Sequence, residues 1–408
     1  MIPKGWSSQK LSSVASIIDC KHRTPEYVKS GIPLVSPGTI KWGALDLISP
    51  VKRVTEEEYR SLMDHCVVEQ GDLVMSRNQS VGVVSYVDSK KPFVLGQDTV
   101  LIKAIHADWR FIYYTLQSDL VQRQIAKSAG GSTFSRINLS DIRALNIKTP
   151  AICEQDKISQ ILTAWDKAIS VTESLLANSQ QQKKALMQQL LTGNKRLLDE
   201  NGVRFSGEWK ITKLIQMGKV VSGGTPDTNM AMYWEGDILW LTPTDVTALT
   251  GRFVSNTSRK ITPAGLLNSS AVLLPKGSLM VCTRATIGAL AISTSEICTN
   301  QGFKNIILNE GFNIEFIYYL LQMNTNEMIK KSSGSTFLEL SKKDFETLSF
   351  SCPFIKEQQK IAAVLSAADT EISTLEKKLA CLKDEKKALM QQLLTGKRRV
   401  KVDEAVAV

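Results

Sequence analysis

Arg77, Asn78 and Gln79 stand together in the stretch SRNQS, residues 76–80: a guanidinium fork followed by two carboxamides. Groups of this kind make paired hydrogen bonds to planar edges, the commonest being arginine with guanine and asparagine or glutamine with adenine. The same chemistry recurs elsewhere. Lys21 and Arg23 lie in CKHRT, residues 20–24. Thr283 and Arg284 follow an apolar run, and TNQG, residues 299–302, supplies Asn300 and Gln301. Their counterpart in the first half is read as Gln97 and Asp98. Two further segments, GGSTF at 130–134 and SGSTF at 333–337, offer Ser132, Thr133, Ser335 and Thr336, hydroxyls next to glycine that suit phosphate oxygens. The other reading of these segments is a turn that buries Phe134 or Phe337. For each arginine it is an ordinary surface ion pair.

Groups for bond-making are missing. The two Gly-Lys pairs are followed by Val220 and Arg398, so neither is a phosphate loop with its Ser or Thr. No two prolines are adjacent, which excludes an Asn/Asp-Pro-Pro-Tyr amino-methyltransferase motif, and no G-x-S-x-G elbow occurs. The three histidines, His22, His65 and His106, lack the spacing of a helical zinc site. Seven scattered cysteines without a Cys-x-x-Cys pair argue against a disulfide framework and suit reducing cytoplasm. The first residues, MIPKGWSSQKLSSV, lack an apolar signal core, and no apolar run approaches a membrane span. A net charge of +10 favours a polyanionic partner. These features fit a chain that recognises rather than catalyses.

The elements that hold these residues come in two copies. KKALMQQLLTG runs from Lys183 to Gly193 and again from Lys386 to Gly396. EQDKI at Glu154 returns as EQQKI at Glu357, the same shift of 203 residues. More loosely, FIYY at Phe111 matches Phe316, GDLVMSR at Gly71 resembles GSLMVCTR at Gly277, LVSPGTI at Leu34 resembles LTPTDV at Leu241, and Trp6 answers to Trp209. Upstream of Pro150 and Pro353, short β-branched and aromatic runs are broken by turn residues, so DLVMSRNQSVGVVSYV and SLMVCTRATIGALAIS read as strand, turn, strand. WRFIYYTLQSDLVQRQIA reads as one helix packed on them.

Beyond each of those prolines, glycine and proline vanish for about forty residues. That predicts a long helix ended by Gly193 or Gly396. Alternating steps of four and three from Ile158 to Leu190 meet seven apolar residues in ten, and from Ile361 to Leu393 nine in ten. A repeat of 3.5 residues sustained this far predicts a coiled-coil seam, and the simplest closure pairs the two helices antiparallel. Leu186, Leu190, Leu389 and Leu393 fall on the seam. The expected fold is α+β: two globular domains of mixed strands and helices, joined by two long antiparallel coiled-coil helices in a pseudo-two-fold internal repeat. Its bounds are 1–150 and 209–353 for the domains, 151–193 and 354–396 for the helices, 194–208 for the linker, and 397–408 for a basic, then flexible tail.

With these carriers in place (the duplicated KKALMQQLLTG, the GSTF pair, the EQ-x-KI helix starts and the Gly-Glu-Trp at Gly207), the chain resembles, over its full length, the specificity subunit of type I restriction-modification systems, the HsdS family. The resemblance implies two target-recognition domains, each reading half of a split DNA sequence, here through Lys21, Arg23, Arg77, Asn78, Gln79, Gln97, Ser132 and Thr133, and through Thr283, Arg284, Asn300, Gln301, Ser335 and Thr336. It implies two modification subunits docked on the helices, whose free faces carry Gln188, Gln189, Gln391 and Gln392, and two motor-nuclease restriction subunits. S-adenosylmethionine, ATP and magnesium belong to those partners, leaving this chain without a cofactor or metal of its own. A coiled-coil adaptor that holds two proteins without touching DNA is the other reading of the same repeat.

Overall fold

The structure, a computed structural model, describes residues 2–50, 52–130, 135–334 and 338–402. It divides into two units: residues 1–173 with 377–408, and residues 174–376. The division falls inside both long helices, Ile152–Leu190 and Ile355–Leu393.

In the first unit a five-stranded sheet runs in the order Ala15–Asp19, Thr99–Ala104, Leu73–Ser76, Val84–Tyr86, Gly43–Ala44. A three-stranded sheet holds Arg53–Val54, Ile32–Val35 and Val94–Leu95, and Ser7–Lys10 pairs with Asn146–Thr149. The central strand, LVMS, is buried along its whole length because both its faces are covered, and three of its four residues are apolar. Leu73 and Met75 join the core under the helix Trp109–Gln117, while Val74 on the opposite face joins the core around Leu34 and Phe93.

The second unit repeats this plan. Its five-stranded order is Gly218–Ser222, Phe303–Leu308, Leu279–Cys282, Leu290–Ser293, Phe253–Val254. Its three-stranded sheet is Arg259–Ile261, Trp234–Leu241, Cys298–Thr299, and Lys210–Lys213 pairs with Ser349–Cys352. Leu279 and Val281 face one core, Met280 and Cys282 the other.

One expected helix is two. WRFIYYTLQ and DLVQRQIAKSA are separate helices, Trp109–Gln117 and Asp119–Ala129, because Ser118 takes extended backbone and its hydroxyl accepts from Val121 N. A serine that caps a new helix ends the old one.

The EQ-x-KI starts explain themselves in space. Gln155 is buried, donates to Pro150 O at 2.9 Å and accepts from Asp108 N at 3.0 Å. Gln358 does the same with Pro353 O at 2.8 Å and Asn313 N at 2.9 Å. Ile158 and Ile361 enter the cores. The buried Glu154 receives both forks of Arg399, at 2.7 and 2.8 Å, and Glu357 receives those of Arg196, at 2.6 and 2.7 Å.

Within each unit the two long helices run in opposite directions. In the first, Asp166 meets Lys386 at 2.5 Å and Glu173 meets Lys383 at 2.7 Å. In the second, Lys183 meets Asp369 at 2.5 Å and Ser179 meets Glu371 at 3.1 Å. Numbers rise on one helix as they fall on the other. Leu389 and Leu393 therefore pack with Ile158 and Leu162, and Leu186 and Leu190 with Ile361 and Leu365. Each helix ends on a glycine at positive φ, +75° for Gly193 and +70° for Gly396. A Cβ at Gly396 would meet Pro3 at 2.4 Å, so the turn needs glycine for space as well as for backbone.

Candidate nucleic-acid interface

The turn after Leu73–Ser76 closes with Gln79 at φ +59°, and the equivalent turn after Leu279–Cys282 closes with Ala285 at φ +62°. Backbone bonds fix the equivalence. Gly82 N donates to Ser76 O and Gly288 N to Cys282 O. Arg77 N donates to Asp98 O and Thr283 N to Gly302 O. Arg77 thus takes the place of Thr283, and Asn78 that of Arg284.

This changes the reading of Arg77. Its side chain is 6% exposed, donates to Ile137 O at 3.2 Å and pairs with Asp19 at 2.8 Å. It is a buried strut rather than a projecting reader, and Thr283, fully buried with both its N–H and its hydroxyl on Gly302 O, is another. The alternating pattern forces this: the residue after a strand whose both faces are covered still points inward. Asn78 and the exposed Gln79 are carried outward instead, with Asn78 Nδ2 at 3.4 Å from Asp98 Oδ2. Arg136, which the sequence did not single out, pairs with Asp98 at 2.7 Å and forms a backbone bridge with Asn78. In the second unit the exposed Arg284 forms the equivalent bridge with Glu339. Beside them Lys304 is buried at 3.8 Å from Glu339, and burial pulls its amine below the ordinary lysine value.

A second point of approach sits next to each turn. Gly96 N donates to Val35 O and Asn300 N to Leu241 O, so Gly96 matches Asn300 and Gln97 matches Gln301. The sequence pairing of Gln97 and Asp98 with Asn300 and Gln301 was one residue out. Gln97 and Gln301 are both exposed, and each is held by a threonine. Gln97 Nε2 donates to Thr24 Oγ1 at 3.1 Å, and Gln301 Oε1 accepts from Thr225 Oγ1. The sequence carries a signal for these threonines: Thr24-Pro25-Glu26 returns as Thr225-Pro226-Asp227. Asn300 is half-buried and turns its Oδ1 back to Gly302 N at 2.9 Å.

Lys21 and Arg23 are committed to the helix Glu56–Met63 and its end. Lys21 donates to Ser61 O and Asp64, and Arg23 binds Glu58 with both forks, at 3.0 and 2.6 Å. The hydrogen bonds from Arg23 hold the Glu58 carboxyl below its usual range. Ser132, Thr133, Ser335 and Thr336 lie outside the described residues. On the long helices Gln188, Gln189 and Gln392 are exposed, whereas Gln391, also exposed, donates to Asp119 at 3.0 Å.

The family described as the type I restriction modification DNA specificity domain matches residues 3–178 and 206–383, and the chain belongs to it. It is 39% identical to the MjaIX specificity subunit of Methanocaldococcus jannaschii over 42% of this chain and 40% of that one. It is 25% identical to the putative MjaX specificity subunit of the same organism over 98% and 95% of the two chains. To the EcoR124I/EcoR124II specificity subunit of Escherichia coli it is 29% identical over 52% of each. The chain thus spans about half the length of two of these relatives and nearly all of the third. In fold it is similar to the crystal structure of the type I restriction-modification S subunit from M. genitalium, with TM-score 0.60, 18% identity and 96% of each chain covered. The HsdS subunit from Thermoanaerobacter tengcongensis gives TM-score 0.51 and 18% identity over 97% and 98% of the chains. Among the described residues no helix is long and apolar enough to cross a membrane.

Proposed function

We propose that this chain is the non-catalytic DNA-reading subunit of a cytoplasmic type I restriction-modification complex. Its two recognition domains bind the two halves of a split double-stranded target. Its long helices dock two modification subunits, and two restriction subunits complete the assembly. S-adenosylmethionine, ATP and magnesium are bound by those partners.

One observation carries the reading. Each unit presents the same scaffold, a positive-φ turn beside a threonine-held glutamine, but arms it differently. Asn78 and Gln79 stand in one unit where Arg284 and Ala285 stand in the other. A common frame with different donors is what two different half-sites require, because base identity is read by side-chain donors and acceptors while the frame is set by phosphate contacts. A protein adaptor has no need of that pattern. Duplex DNA titrated at rising salt tests the point: affinity should fall steeply as phosphate contacts release counterions. Affinity independent of salt, or no binding at all, would contradict it.

A further inference from the structure

A cavity of about 330 Å³, within the size range of small-molecule sites, opens in the first unit beside Gln97 and Thr24. Leu34, Val94 and Leu95 form its apolar floor, and Tyr27 and Lys52 stand at its rim.

The internal repeat shows what shape of group this space fits. Leu34 pairs with Val94 in the three-stranded sheet as Trp240 pairs with Cys298 in the second unit. Where the first unit has Leu34, the second therefore has Trp240. That indole is buried, donates Nε1 to Gly224 O at 2.9 Å and stands edge-on to Trp234 with ring centres 4.9 Å apart. The cation beside it is kept in both units. Leu34 N donates to Lys52 O, and Trp240 pairs with Arg259, so Lys52 holds the place of Arg259. Lys52 lies 4.9 Å above the Tyr27 ring, as Arg259 lies 3.6 Å above Trp234. What the first unit lacks is a ring at the place of Trp240, where it has Leu34.

We propose that this cavity binds a purine or pyrimidine ring, taken either from bound DNA as an extrahelical base or from a free nucleotide. The first source rests on the DNA-reading function proposed above; the second does not. The floor offers apolar contact to the ring face, and Tyr27, 43% exposed, offers a stacking surface of the kind single bases use. Beyond its bond to Thr24, the Gln97 amide keeps a second N–H and a carbonyl oxygen for the edge of a base. Lys52, which lines the cavity, supplies positive charge for a phosphate attached to that ring.

Leu34→Trp tests this directly, because the second unit already carries tryptophan at that place and the substitution fills the space. Duplexes carrying the chain's own target, mapped from the sites modified in its host, receive 2-aminopurine at each position of the split sequence in turn. In parallel the four deoxynucleoside 5′-monophosphates are titrated by calorimetry. The wild-type chain is expected to give an emission rise at one position, marking an extrahelical base, or saturable heat with at least one nucleotide, marking the free ligand. In Leu34→Trp whichever signal appeared should weaken about tenfold or more, with the second half-site still discriminated. The proposal is overturned if the wild type gives neither signal, or if the signal survives in Leu34→Trp. Should the wild type bind no duplex at all, the DNA-reading function fails, and the cavity stands or falls on the nucleotide heat alone.

Discussion

Gln97 Nε2 donates to Thr24 Oγ1 at 3.1 Å, and in the other unit Gln301 accepts from the hydroxyl of Thr225. Four residues far apart in the chain make the same arrangement twice, on loops that flank the same turn. A threonine that fixes one atom of an exposed carboxamide leaves its remaining atoms at a defined angle, which reduces the entropy lost when they meet a base. Gln97→Ala is expected to relax one position of one half-site by about 1–3 kcal/mol, and Gln301→Ala one position of the other. Competition binding against single-base variants of the target reads this. A uniform loss across all positions would mean that the glutamines touch phosphate only.

Arg77 should behave as part of the fold. Its loss takes the guanidinium from Asp19, 29% exposed, and a donor from Ile137 O. Because that carboxylate is partly solvated, Arg77→Ala is expected to cost about 1–3 kcal/mol of unfolding free energy. Denaturant unfolding measures it. Base preference of the protein that remains folded should be unchanged, whereas Asn78→Ala should alter preference with little effect on stability.

The two arginine–glutamate locks predict an unequal pair. Arg196 is 21% exposed and its partner Glu357 3%; Arg399 is 47% exposed and its partner Glu154 5%. Glu154 also accepts from Trp6 Nε1 at 3.3 Å, whereas Trp209 Nε1 has no hydrogen-bond partner among the described residues. Arg196→Ala therefore strands a buried carboxylate with less support. It should cost about 3 kcal/mol, against about 1–2 for Arg399→Ala. Thermal unfolding of the two variants side by side gives the order, and equal costs would show that the indole contributes nothing.

How far these roles could be read from the chain differs by scale. The helices were legible because period and length are local, and EQ-x-KI flagged their starts. The burial of Arg77 was not legible, since it depends on Asp19 from a strand 58 positions away. Nor was the split at Ser118, where capping by a single hydroxyl overrides a continuous apolar period. The register of Gln97 against Gln301 slipped by one because the loops between the matched strands differ in length, and only backbone bonds settle it. Arg196 and Arg399 extend the repeated helix ends by three residues, yet their role is not legible in sequence, because arginines after a helix look like solvated charge until the glutamate is seen.

Docking on the helices is predicted to depend on their exposed amides. Gln189→Lys with Gln392→Lys should weaken binding of the modification subunits about tenfold, and both recognition domains should stay folded, as circular dichroism and target binding would report. Gln391, held by Asp119, is expected to contribute less. Co-purification unchanged from wild type would place the docking surface elsewhere.

The central claim is that the two units read two half-sites independently, and mapping modified bases across the genome of a host measures it most directly. The host carries this chain with its own modification subunit, either intact or with residues 1–150 replaced by the corresponding domain of another family member. The intact chain should mark one split sequence, two short defined blocks around an undefined spacer. The exchanged chain should change one block and keep the other. A single continuous sequence, or the loss of both blocks on exchanging one domain, would contradict the account.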